Sequence, residues 1–195
     1  MEEKKRDKIF VTMGASNHSS EEREKDDFYA TDPIAINLLL DVEEFEGVIW
    51  EPAAGQFHMV NRLRELGKEV VATDLVDRGF DVGGVDFLKE ENSRGQHIIT
   101  NPPNKLGLEF IKKGCELLKN DGDKLALFLP VRYLSGQKRG KLYETYQPSR
   151  VWICRKRVVC AKNAEFAKIK STAIDYMWIV WEKGYQGKCQ VGWIN

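Results

Sequence analysis

The sequence predicts an α/β fold: a mainly parallel sheet with helices on both faces. Three observations carry this. Short apolar runs of strand length alternate with segments of helical spacing. Several of the runs stop sharply at Pro or at a polar turn, as at Glu51-Pro52, Asn101-Pro102 and Pro130. The late run Tyr176–Trp181 sets Tyr176, Trp178 and Val180 against Met177, Ile179 and Trp181, as a strand buried on both faces does. In such sheets ligands sit beyond the carboxyl ends of the strands, where strand order reverses. The residues that follow each strand are therefore the functional candidates.

The elements follow in order. Asp32-Pro33 is a helix start, an N-cap acid before a proline, and the helix runs through Leu38-Leu39-Leu40. Val48-Ile49-Trp50 reads as a buried strand. Met59, Val60, Leu63 and Leu66 share a helix face that Gly67 ends. Val70–Ala72 and His97–Thr100 are strands. Leu106, Phe110, Ile111, Cys115 and Leu118 mark another helix. Lys124–Leu129 is a strand stopped by Pro130, and Val151–Cys154 is a late strand. Trp152, Trp178 and Trp181 read as core residues.

At 195 residues the chain is long enough for one domain with a core of its own. We read residues 1–27 as a polar, weakly ordered leader and 28–195 as that domain. No apolar run approaches the ~18 residues of a membrane span. Met1-Glu2-Glu3-Lys4-Lys5 is charged and is no secretory signal, so the expected location is the cytoplasm. Cys115, Cys154, Cys160 and Cys189 form no Cys-x-x-Cys pair. His18, His58 and His97 are scattered, so no metal site is expected.

The formal net charge is zero, but residues 131–170 hold eleven Lys/Arg against Glu144 and Glu165. That segment is +9 and the remainder −9, which makes it a candidate phosphate-contacting face.

Three motifs carry chemistry. Glu51-Pro52-Ala53-Ala54-Gly55-Gln56-Phe57 joins a strand to a helix, and its small residues let the backbone approach a ligand. Asp74 ends the next strand, about 20 residues beyond, where an acid takes the ribose hydroxyls of a nucleoside-bearing cofactor, NAD or S-adenosylmethionine (SAM). Asn101-Pro102-Pro103-Asn104 follows Ile98-Ile99-Thr100. Its prolines cannot continue a ladder, so the loop holds acceptors at fixed points. The Asn101 side-chain oxygen and the Pro102 carbonyl can both accept from one amino group.

These motifs resemble the amino-methyltransferases with an Asn/Asp/Ser-Pro-Pro-aromatic signature. Within them the chain is most similar to the small phage and prophage DNA N6-adenine methyltransferase-like proteins. The similarity runs from about Gly14 to Asn195 and includes Asp27–Pro33, Trp50–Met59, Ala72–Gly79, Val85–Leu88 and Ile98–Pro103.

The resemblance implies a Rossmann-like class I SAM-dependent methyltransferase fold with a mostly parallel seven-stranded sheet, SAM as cofactor and DNA as partner. It places Tyr29, Thr31 and Pro33 at the methionine end of SAM, and Glu51, Ala53 and Gly55 in its main binding loop. Asp74 falls at the ribose, and Leu75, Asp86 and Phe87 around the adenine. The loop Asn101, Pro102, Pro103, Asn104 would be catalytic, with Asn101 and Pro102 polarising the amine. Lys138, Arg139, Arg155, Lys156 and Arg157 are the candidate nucleic-acid contacts.

The chain departs from the pattern twice. Phe57 stands where relatives have glycine. Asn104 stands where an aromatic stacks on the extruded base, a contact worth about 1–3 kcal/mol. Phe57, Tyr133 and Phe110 are the candidate replacement rings. The same residues also suit a protein-amide methyltransferase, a SAM-fold binding module without turnover, and, least well, an NAD-dependent oxidoreductase.

Overall fold

The computed structural model describes residues 30–161, 166 and 173–195. The polar leader, Tyr29 and the basic residues Lys162, Lys168 and Lys170 lie outside the described residues. In chain order the elements are β1 (Ala30–Thr31), α1 (Ile34–Leu40), β2 (Ile49–Glu51), α2 (His58–Glu65), β3 (Val70–Ala72), a 3-10 turn (Phe87–Lys89) and β4 (His97–Thr100). Then come α3 (Gly107–Leu117), β5 (Lys124–Pro130), a second 3-10 turn (Val131–Leu134), α4 (Gln137–Thr145), β6 (Arg150–Cys154), β7 (Cys160–Ala161), β8 (Tyr176–Glu182) and β9 (Gln190–Ile194).

Seven strands form one sheet in the order β3-β2-β4-β5-β8-β6-β9. β8 pairs antiparallel with both β5 and β6, and the other pairings are parallel, so β8 alone runs against its neighbours. The mostly parallel seven-stranded sheet expected from the sequence is present. From β2 the chain steps outward to β3 and then back across to β4. Strand order therefore reverses between β2 and β4, which is where a ligand crevice belongs.

The core has two halves, one on each side of the sheet. On one side Ile36 and Leu39 of α1 and Val60 and Leu63 of α2 pack on Ile99, Phe128, Trp178 and Val180. On the other, Phe110 and Ile111 of α3 and the flank of α4 cover Ile98, Leu125, Leu127, Met177, Ile179 and Trp181. Successive residues of β5 and β8 feed opposite halves, which explains why both strands read as unbroken apolar runs. Each large apolar side chain buried this way contributes about 1.5–3 kcal/mol. The buried indoles Trp50, Trp178 and Trp181 each donate to an oxygen, at 2.8, 2.9 and 2.9 Å. Burying these rings therefore strands no polar atom.

Local signals set the helix ends. Asp32 Oδ1 accepts the Ile34 N–H at 3.0 Å, so the cap works one residue ahead of α1's first turn. Gly67 closes α2, with its N–H on Arg64 O and the Lys68 N–H on Leu63 O.

At the amino ends of the strands Glu43 is buried. It accepts from Arg150, Lys124 and the Trp152 indole, and Arg150 also reaches Glu182. Arg150 is thus withdrawn from the basic segment in which the sequence places it. Among the described residues no helix is long and apolar enough to cross a membrane, and no group of three or more His, Cys, Asp or Glu could hold a metal ion.

Candidate active site

The loops after β2, β3 and β4 enclose a cavity of about 450 Å3, within the range of small-molecule sites. Among the sequence candidates, Thr31, Glu51, Ala53, Asp74, Leu75, Asp86, Phe87, Asn101, Pro102, Pro103 and Asn104 all line it. Pro33 and Gly55 do not, and Tyr29 lies outside the described residues.

The first loop begins at Glu51, the last residue of β2. Gly55 sits at φ +54 and Phe57 at φ +68, so the chain turns into α2 through two left-handed residues. Gly55 donates its N–H to Asp74 Oδ2 at 2.8 Å, and Asp74 Oδ1 accepts the Val76 N–H at 2.8 Å. Asp74 therefore ties the first loop to the second. Each of its oxygens retains a further lone pair beside the cavity. Asp86 caps the 3-10 turn by accepting from Leu88 N–H at 3.1 Å.

Glu51 is 1% exposed. Its Oε1 accepts from Ala53 N–H at 3.1 Å, while Oε2 is buried without a partner. Burial pushes its pKa up to about 8. The neighbouring Asp74 charge adds to the rise, while Thr100 and the Ala53 N–H oppose it. Thr100 lies beside the carboxyl, but its buried Oγ1 makes no hydrogen bond of good geometry. A carboxyl so placed is mostly neutral at pH 7, and a cation in the cavity would ionise it.

The third loop presents Asn101. Its Nδ2 donates to Thr31 Oγ1 at 2.8 Å and, more weakly, to Cys160 Sγ at 3.9 Å. Thr31 and Cys160 are register partners in a two-stranded ribbon, β1 with β7. No hydrogen bond among the described residues takes up Asn101 Oδ1 or, from backbone donors, the Pro102 carbonyl. The Pro103 carbonyl accepts from Leu106 N–H at 2.9 Å, and the Asn104 carbonyl from the Tyr133 hydroxyl at 2.8 Å. The loop is thus anchored at its far end and leaves the Asn101 Oδ1 and Pro102 carbonyl acceptors without a partner among the described residues.

The two departures from the family pattern resolve differently. Phe57 turns away from the cavity into the core and stacks on Phe80, with centroids 4.4 Å apart. It keeps the left-handed backbone that glycine adopts without strain. For Asn104, Phe110 lines the cavity and packs on Phe87, whereas Tyr133 is buried outside it. Tyr176, which the sequence reading assigns to a core strand, also lines the cavity. It does so because β8 runs antiparallel and begins at this end.

Sequence reasoning missed other wall residues. His58, set aside as one of three scattered histidines, lines the cavity with its Nε2 buried and without a partner. Cys160, read as an ordinary thiol, touches Asn101. Leu75, by contrast a sequence candidate, is 59% exposed, an apolar side chain with nothing over it.

The basic candidates lie beyond β5 and β6, at the same end of the sheet as the cavity. Lys138, Arg155 and Lys156 are exposed. Arg139 bonds the Arg132 and Ser135 carbonyls and lies over the Tyr133 ring, and Arg157 pairs with Asp175 at 2.8 Å.

No protein-family model matches the sequence, and no curated protein sequence matches it. Solved structures do. A methyltransferase subunit of a type I restriction-modification system from Streptococcus thermophilus is 16% identical, with a TM-score of 0.59 over 85% of this chain and 47% of that one. A protein from Listeria monocytogenes assigned as a class I SAM-dependent methyltransferase is 13% identical, with a TM-score of 0.55 over 95% of this chain and 70% of that one. A protein from Pyrococcus horikoshii assigned as an RNA methyltransferase is 16% identical, with a TM-score of 0.53 over 74% and 77%. The chain spans about half the length of the restriction-modification subunits it matches. At these identities the likeness is one of architecture: the chain has the class I SAM-dependent methyltransferase fold.

Proposed function

We propose that the protein transfers a methyl group from SAM to the exocyclic amino group of a nucleic-acid base, N6 of adenine in DNA. The observation that carries this reading is the Asn101-Pro102 corner. It offers two unused acceptors to the cavity that the Glu51 loop also lines, and the Asn101 nitrogen is tied back.

The residues present fit SAM. The orphaned Glu51 Oε2 suits the cofactor's ammonium group, Asp74 has lone pairs left for ribose hydroxyls, and uncovered Leu75 with Phe87 suits a purine face. When bound, SAM supplies an electrophilic methyl group on a sulfonium. The chain's own part is positioning and polarisation. Asn101 Oδ1 and the Pro102 carbonyl accept the two amine hydrogens. They draw the nitrogen lone pair out of conjugation and hold it toward the methyl donor. A base inside a duplex must first leave the stack, at a cost of a few kcal/mol, and Phe110 or Tyr176 offers a ring to receive it.

Two further points support nucleic acid as the target. Restriction-modification and RNA methyltransferase proteins are among the structural neighbours. Lys138, Arg155 and Lys156 rim the cavity end of the sheet, where they suit phosphate contacts that position without specifying sequence.

Labelled SAM offered with unmethylated duplex DNA, single-stranded DNA, RNA and a cell-protein extract tests the proposal. Label in DNA adenine is expected, with binding that weakens steeply as salt rises. Label confined to protein would move the target to an amide.

A further inference from the structure

We propose that Thr31 and Cys160 are positioning residues that decide which end of the Asn101 amide faces the target amine. The proposal rests on the methyl-transfer reading above. An asparagine amide is nearly symmetric in shape, and only its hydrogen bonds distinguish oxygen from nitrogen. Turned one way it offers an acceptor to an amine N–H; turned the other it opposes donor to donor.

In this protein the choice is made by a cross-strand pair. Thr31 and Cys160 are opposite each other in the β1–β7 ribbon, so both side chains share one face of it. Both present acceptors to Asn101 Nδ2, at 2.8 and 3.9 Å. A hydroxyl can donate as well as accept, but the Thr31 proton goes to the Cys160 sulfur, which leaves the Thr31 oxygen to accept. The Asp32 N–H to Val159 carbonyl bond, 3.0 Å, extends the same pairing. The thiol remains protonated at neutral pH, because burial pushes Cys160 up to about 11, so it acts as a weak neutral acceptor. Asn101, Thr31 and Cys160 all line the cavity, which makes the ribbon part of its wall. The sequence resemblance puts Thr31 at the methionine end of the cofactor; the geometry puts its hydroxyl on Asn101.

The test compares Thr31→Val, which keeps the shape and removes the hydroxyl, with Thr31→Ser, which keeps the hydroxyl. Three quantities are read: kcat and KM for the nucleic acid that accepts label, SAM affinity by calorimetry, and the side-chain amide NMR signals of Asn101 in the free protein, assigned by their loss in Asn101→Ala. Losing one net hydrogen bond of orientation predicts a kcat lower by roughly five- to tenfold in Thr31→Val. KM and SAM affinity stay within about twofold of wild type at that energy scale. The amide signals move toward those of a free side chain, and Thr31→Ser restores all of these values. Equal losses in Val and Ser, or weakened SAM binding with kcat retained, overturn the positioning role. Unshifted amide signals in Thr31→Val overturn the clamp itself even if no substrate is found. A wild-type protein that labels nothing overturns the reading on which the clamp's purpose rests.

Discussion

Replacing Glu51 with Gln should change how stability depends on pH, and the structure fixes the sign. The Glu51 carboxyl is raised from an ordinary 4.5 to about 8, by burial first and by the Asp74 charge second. The folded state therefore holds this proton more tightly than the unfolded chain does. The resulting stabilisation is complete below pH 4.5, declines as the pH rises, and is gone above about 8. At about 1.4 kcal/mol for each tenfold change in proton affinity, wild type loses roughly 5 kcal/mol over that interval, less to the extent that water in the cavity solvates the anion. Glutamine keeps an oxygen for the Ala53 N–H and cannot ionise. Urea unfolding of both proteins at half-unit steps from pH 4.5 to 9 gives the difference curve, in which all other groups cancel. The variant should gain on wild type steadily up to about pH 8 and then hold level. Parallel curves would refute the claim that a neutral carboxyl with no cationic partner sits in the cavity. The same linkage governs the ligand. A cofactor ammonium needs Glu51 ionised, so wild-type SAM affinity should rise from pH 6 to about 8, and Glu51→Gln should flatten that rise.

Three further outcomes follow. Phe57→Gly removes left-handed strain of about 1–2 kcal/mol but also a buried ring of the kind whose loss costs about 3–5. A net loss of roughly 1–4 kcal/mol in urea unfolding is expected, with SAM affinity unchanged because the ring points away from the cavity; a tenfold gain in affinity would show that it crowds the ligand. Glu43→Gln removes the carboxylate that Lys124 and Arg150 share, leaving Arg150 its pair with Glu182 and Lys124 the Glu44 carbonyl, and should cost about 1–3 kcal/mol without altering SAM affinity. Burial alone would raise the Glu43 carboxyl, but hydrogen bonds from Arg150, Trp152 and Lys124 outweigh it and hold it below 4.5. Its contribution is therefore present above pH 4.5 and lost as the pH falls through the folded value, the reverse of Glu51; a difference between wild type and variant that stays constant as the pH is lowered from about 5 to about 2 would contradict this.

The parts of the fold that sequence made legible are those where one physical demand dominates. β5 and β8 are buried on both sides, so their apolar runs are continuous. Glu51 and Asn101 stand at the ends of β2 and β4, which flank the reversal of strand order, and Asp74 follows the neighbouring β3, where backbone geometry brings ligands. α4 was not legible, because none of its residues is buried. Nor was β9, in which Ile194 alone is buried and Val191 and Trp193 face outward on an edge strand. The β1–β7 ribbon joins two-residue strands far apart in sequence, so neither carries a pattern, and the contact of Thr31 and Cys160 with Asn101 was hidden with it. Charge was legible as a segment total but not residue by residue. Arg139, Arg150 and Arg157 look like phosphate contacts in sequence and in the structure bond a carbonyl, a buried carboxylate and Asp175.

The central claim is that Asn101 acts on the amine and not on the cofactor. Its most direct test measures SAM affinity and methyl-transfer turnover side by side in wild type and Asn101→Ala. The account predicts affinity within about twofold and turnover reduced at least roughly a hundredfold, the scale of removing one preorganised group from a polar transition state. Turnover equal to wild type, or SAM binding lost together with turnover, would contradict it.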